Sequence, residues 1–299
     1  LLLLLIGRVD EAATYIAQAR SAFHDMGALE PLTSLQALEL YAQLLRGQGI
    51  RARASVGAVL RRLEETEGAA SDLRLQLLLA IVLGESGQPT EALALIQTII
   101  AGMQARGYRL FLVCAQLYQA YLAGILNDLA TQRANLAAGW ELFATDAQSY
   151  IPLLPAGALR DVTVAALKQG LVPSSVSLVL RQQMPEQALD ILRSLLDTPE
   201  PAIRANIAQL LGDLGAAAAY PVLRTLLKDR SSQVRQMAAE AGFDLRIRVT
   251  EFATSLKASE QGDYQAFQIN WSGRTDPDQN VINHLGCNTP FNWGKYCNE

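Results

Sequence analysis

The chain has 299 residues, half of them apolar and 18% charged, which gives room for two domains with a sizeable core and excludes a disordered chain. A net charge of −4 offers no basic field to hold a phosphate backbone, so direct nucleic-acid contact is not expected. Aromatics at 6% beside abundant Leu, Ala and Gln favour helices over an all-β fold.

The opening run LLLLLIGR has no basic segment and no small-residue cleavage site, and six apolar residues are too few to span a bilayer. It reads as neither signal peptide nor membrane span, and both chain ends are expected to be cuts through elements of a longer protein. Helical hairpins are predicted from Leu1 to about Gln148. In IGRVDEAATYIAQA, Gly7 breaks a helix and Asp10 is expected to cap the next, with Ala12, Ile16 and Ala19 inside. The same grammar returns in LGESGQPTEALALIQ, with Gly84 and Gly87 as breakers, Thr90 as cap and Ala92, Leu93 and Ile96 inside. Weaker copies lie at Gly47 to Gly49 and Gly124 to Leu129. Gly7, Gly49, Gly87 and Gly124 are separated by 42, 38 and 37 residues, the period of helix-pair arrays. Residues 149–184, interrupted by Pro152, Pro155, Gly157, Gly170 and Pro173, read as a transition between arrays.

A second repeat follows. EQALDILRSLL, Glu186 to Leu196, is predicted to be one amphipathic helix stopped by Pro199 and Pro201; AIRANIAQLLGDLG and AAAAYPVLRTLLKD form a pair, and SSQVRQMAAEAG opens a third unit. Ile203-Arg204 and Val234-Arg235 stand 31 residues apart, each beyond a turn that follows an aspartate, Asp197 or Asp229. Beyond Gly242 the period drops from helical to two: Leu245, Ile247 and Val249 alternate with Arg246, Arg248 and Thr250, a half-buried strand.

The Gly-spaced hairpins of residues 1–148 resemble degenerate tetratricopeptide-like repeats, and residues 185–241 resemble short HEAT repeats. The second resemblance implies that Asp197, Arg204, Asp229 and Arg235 form a structural ladder between neighbouring repeats. Together the arrays resemble the central region of large bacterial ATP-dependent transcriptional regulators, which implies an interaction module that binds protein or peptide along the concave side of an α-solenoid. Neither the GxxxxGK[ST] phosphate loop nor a basic recognition helix is found.

The tail changes family. The run from Ala239, with FATSLKASEQG, YQAFQINW and Trp271-Ser272-Gly273-Arg274 followed by Asp276-Pro277-Asp278, resembles the late portion of extracellular solute-binding proteins of dipeptide, oligopeptide and nickel ABC importers. That resemblance implies a small α+β fragment of one lobe over residues 242–299, a peptide-like solute, and ligand contacts from Trp271, Ser272, Gly273, Arg274 and Asp276. Relatives carry an ammonium-binding aspartate where Arg274 stands, and a guanidinium suits a carboxylate instead. Asp276 and Asp278 also read as turn residues around Pro277. Cys287 and Cys297 match a cysteine pair of some relatives, which implies a disulfide and an extracytoplasmic compartment, whereas the arrays imply the cytoplasm. Because VRQMAAEAG suits both families, the chain is expected to be a chimeric or truncated reading frame, with genuine fusion as the alternative.

Cys114 and His24 read as structural or surface residues, and Glu64-Glu65-Glu67 as a solvated face. No nucleophile, metal cluster or phosphate loop is apparent, so no catalysis and no cofactor are expected.

Overall fold

The computed structural model describes residues 1–65, 72–146, 150–171, 173–215, 217–242 and 251–263, together with Thr289 and Asn292. Two compact units divide the chain, residues 1–243 and 244–299.

The first unit opens with α1 (Leu2–Leu5), α2 (Val9–Asp25), α3 (Leu29–Leu45) and α4 (Gly49–Glu65), and continues with α5 (Leu73–Glu85), α6 (Pro89–Arg106), α7 (Arg109–Ile125) and α8 (Leu129–Thr145). Successive helices pack as antiparallel neighbours, and α3, α5, α7 and α9 (Ala156–Lys168) also touch in a row, each covering the one before. The row explains the composition of its middle members. In α5 the run from Leu77 to Gly84 is buried without interruption, and α7 buries eleven residues, so these helices are apolar on every side because other helices surround them.

The breaks between helices fall one step away from several expected positions. Asp10 lies inside the first turn of α2, whose N-cap is Arg8, and α6 starts with Pro89 after Gln88, ahead of Thr90. Gly84 is helical. An added Cβ there would stand 2.3 Å from the Tyr118 hydroxyl, so its missing side chain is the seat of Tyr118. Between α7 and α8 the left-handed residue is Asn127 (φ 58°), not Gly124, and Asp128 caps α8 through Thr131 N–H.

Residues expected as a transition hold two helices, α9 and α10 (Pro173–Gln183). Pro155 is the N-cap of α9 and Pro173 opens α10, so these prolines start helices where the amide would have no helical partner anyway. The second array continues with α11 (Ala188–Arg193), α12 (Pro201–Leu214), a short 3₁₀ turn (Ala217–Ala219), α13 (Tyr220–Leu226) and α14 (Ser232–Gly242). The helix expected over Glu186–Leu196 is thus only six residues long, flanked by turns. Helices α10, α12 and α14 pack in succession. At the α12–α14 crossing, a Cβ on Gly212 would meet the Ala241 Cβ at 2.5 Å. Glycine lets these two backbones touch.

Two apolar cores result, one centred on α3 to α7 and one running from α7 and α8 through α14. In the second unit, α15 (Phe252–Gln261) is capped by Glu251, whose carboxylate accepts from Thr254 N–H, and ends at the left-handed Gly262. The strand expected over Leu245–Val249 and the elements from Tyr264 onward lie outside the described residues, among which no strand occurs.

Candidate functional site

The turns of the second array carry a polar pattern that repeats with the chain. Arg204 Nη1 donates to the carbonyls of Thr198 and Pro199, six and five residues upstream, at 2.8 and 3.0 Å. Arg235 Nη1 donates to the carbonyls of Asp229 and Arg230, again six and five upstream, at 2.7 and 3.1 Å. Each arginine therefore closes its own turn. Arg204 also reaches forward, with Nε and Nη2 each 2.9 Å from Asp229 in the next turn. The pair is buried, with side-chain exposures of 5% and 12%, and Asp229 further accepts from Ser231 N–H. The Arg204 guanidinium holds the Asp229 carboxyl below the usual aspartate range. Asp197 is exposed and forms no ion pair among the described residues; thirty-one positions before Arg204 stands Pro173, which has no donor to offer it.

In the first array several side-chain bonds share one span in sequence. Tyr118 Oη lies 3.1 Å from the Ile81 carbonyl, Ser86 Oγ 3.3 Å from the Gly49 carbonyl, and Arg109 pairs with Asp146, each across 37 residues. Arg46 reaches Asp10 across 36. Tyr118 also hydrogen-bonds Glu85, whose carboxyl is pushed up by burial and further by the charge of Asp161, against the pull of the tyrosine. Beside it, Tyr121, Gly124, Ile125, Gln132, Asp161 and Val162 line a cleft of about 240 Å³.

Between α8 and α9 the chain forms a strap, Tyr150 to Pro155, that is clamped by side chains instead of by secondary structure. Ile151 N–H donates to Gln183 Oε1 at 2.9 Å, and Gln183 Nε2 donates back to the Ile151 carbonyl at 3.0 Å. The Tyr41 hydroxyl donates to the Leu153 carbonyl at 2.5 Å, and Tyr150 donates to the Leu5 carbonyl at 2.8 Å. Ile151 belongs to the second core and Leu153 to the first. Leu153 has φ 62°, and Leu154 N–H closes onto the Pro152 carbonyl at 2.8 Å. That is a γ-turn of the rarer, strained hand, imposed on a residue other than glycine. Sequence reasoning passed over Tyr41, Gln183 and the strap. The available signal was IPLLP itself, too short and proline-broken for a helix yet too apolar for a free loop.

Trp271, Ser272, Gly273, Arg274, Asp276, Cys287 and Cys297 lie outside the described residues. Cys114 is wholly buried and burial pushes its thiol up, the state of an inert core cysteine. His24 is exposed beside Asp25. Among the described residues no group of three His, Cys, Asp or Glu is placed to hold a metal ion, and no helix is long and apolar enough to cross a membrane.

Residues 165–242 match the HEAT repeat family. The matched stretch starts inside α9, ahead of the boundary expected at 185, and takes in α10 to α14. No curated protein matches the chain. Among solved structures, BtubC (BKLC) from P. vanneervenii superposes with a TM-score of 0.40 at 15% identity, over 90% of this chain and 98% of that one. A superposition that loose carries no argument about function.

Proposed function

We propose that the chain is a non-catalytic helical-repeat module that binds other polypeptides, of the kind found in the middle of large regulators. What supports it is the 31-residue recurrence of the turn-closing arginines Arg204 and Arg235, inside the stretch that matches HEAT repeats, together with the row of stacked helices in the first array. A single helix pair cannot bury its own apolar face; stacking buries it continuously and leaves a long surface for a partner. In this reading residues 1–148 are tetratricopeptide-like repeats and 185–241 HEAT-like ones. Asp197, Arg204, Asp229 and Arg235 then serve structure and not chemistry.

Selection of peptides from a displayed random library against the full chain tests the reading. Saturable binders that survive without being turned over are expected; a library exhausted without one sinks it.

A second reading concerns residues 242–299. Trp271-Ser272-Gly273-Arg274 with Asp276 favours a fragment of a peptide-type solute-binding protein, fused or mis-joined to the arrays, with Cys287 and Cys297 as a disulfide. Single-molecule DNA sequencing across the codons for residues 200–270 decides whether one molecule carries both. A continuous read makes the fusion real, and its absence separates the two parts.

A further inference from the structure

The strap at Tyr150–Pro155 is held as a bound peptide is held. The donors and acceptors that satisfy its backbone at Ile151 and Leu153 come from side chains remote in sequence, Tyr41 from α3 and Gln183 from α10. A side-chain amide that gives and takes one hydrogen bond with a single residue reads main chain and not side-chain identity. Selectivity then comes from the two apolar residues that leave the strap in opposite directions, Ile151 into one core and Leu153 into the other, both nearly inaccessible at 1% and 4%. Pro152 between them is buried and has no N–H to satisfy. Leu153 reaches its place at φ 62°, a strained backbone for a residue other than glycine, two residues before the N-cap of α9.

We propose that the bed of the strap, formed by Tyr41, Gln183 and the apolar side chains around them, is a peptide groove whose partner is an extended segment with an apolar-Pro-apolar sequence, and that the strap is the resident occupant such a segment displaces. The inference rests on the interaction-module reading and adds to it where the partner sits and what it looks like. A partner not tied to α9 reaches both cores without the left-handed turn. It therefore competes on better terms than the strap's own sequence, although the tether gives the strap an effective concentration on the order of millimolar.

The test uses the full chain carrying Ile151→Ser and Leu153→Ser, and a fluorescein-labelled peptide of sequence Tyr-Ile-Pro-Leu-Leu-Pro as probe. Fluorescence anisotropy is expected to show saturable binding to this variant at least about ten-fold tighter than to the unaltered chain, by removal of the tethered competitor. Adding Gln183→Leu is expected to abolish it. A helical variant that binds no peptide, or binds a shuffled peptide equally well, overturns the proposal. Should the double variant fail to fold, hydrogen exchange on the unaltered chain decides instead. Excess peptide is expected to speed exchange at Ile151, Leu153 and Leu154 while leaving α5 unchanged, and unaltered exchange at those residues overturns the proposal. Library-selected peptides that bind equally to chains with and without the strap changes would leave the interaction module standing and remove only this groove.

Discussion

The two arrays solve one problem, tying neighbouring helices together, with different physics. In the first, Arg46–Asp10 and Arg109–Asp146 join consecutive helices, α2 with α3 and α7 with α8, at the surface, with side-chain exposures of 37% and 92%, and 54% and 19%. Water and salt screen such pairs, so the stacking of the apolar helices α5 and α7 must carry the stability. In the second, the helices are short, six residues in α11 and seven in α13, and bury less. There Arg204 and Asp229 are almost fully enclosed and also satisfy the carbonyls and amide of the turns. A repeat with little helix to pack places its inter-repeat tie in the turn, where one guanidinium bonds both the neighbouring turn's carboxylate and its own turn's carbonyls.

The comparison breaks most visibly at Arg204. Arg204→Ala leaves Asp229 buried without its cation and two turn carbonyls without a donor, and is expected to cost about 4 kcal/mol. Hydrogen exchange should speed up at α12 and α14 while α5 amides hold, because a repeat array transmits damage only to its neighbours. Uniform loss across both arrays would show that they fold as one cooperative block. Next in size is Gly212→Val. Its Cβ would lie 2.5 Å from the Ala241 Cβ and 2.7 Å from its Cα, and backbone does not yield as a flexible side chain does. A loss of about 3 kcal/mol in urea unfolding is expected, against almost none for Gly157→Ala, where an added Cβ meets nothing within 4 Å.

These features differ in how far the chain displays them. The 31-residue spacing of Arg204 and Arg235 is legible because both arginines bond within six residues of themselves, so the motif repeats locally. Breaks at Gly47 and Gly87 are legible because both stand at positive φ where glycine is unstrained. The break at Asn127 was masked by nearby Gly124, a helical glycine packed against Gln132. Pro155 and Pro173 look like interruptions until the helices they begin are seen. The strap is illegible for a different reason. Its clamps, Tyr41 and Gln183, lie 112 and 32 residues away from the groups they bind, and nothing in a linear pattern pairs them.

Glu85 sharpens the contrast through pH. Its folded carboxyl titrates above the ordinary glutamate value of 4.5, so the protonated form is favoured by folding. The stabilisation is present below that value and is lost as pH rises through the raised one. Glu85→Gln keeps a neutral partner for Tyr118 and is expected to unfold at higher urea than the unaltered chain at pH 7, with the advantage shrinking toward pH 4. Asp229 runs the other way: its folded value is lowered, so its stabilisation is present above the ordinary aspartate value of 3.8 and lost on acidification through the lowered one. An advantage for Glu85→Gln that does not change with pH would mean that the buried carboxylate's charge costs the fold nothing.

The smallest effect is expected at Arg109. Arg109 and Asp146 join the ends of α7 and α8 with two-pronged geometry, Nε lying 2.9 and 2.8 Å from the two carboxylate oxygens, yet the arginine is more than half exposed. Removing it costs one screened pair and frees a long side chain, so Arg109→Ala is expected to lose only about 0.5 kcal/mol. Nearly all of that should vanish in molar salt, where charges more than a few ångströms apart no longer sense each other. The same salt should leave most of the Arg204→Ala loss intact, because water and ions do not reach a guanidinium that is 5% exposed. Equal salt sensitivity at the two sites would mean that the turn between α12 and α14 opens readily to solvent, and the division of labour between a packed array and a turn-tied one would fail.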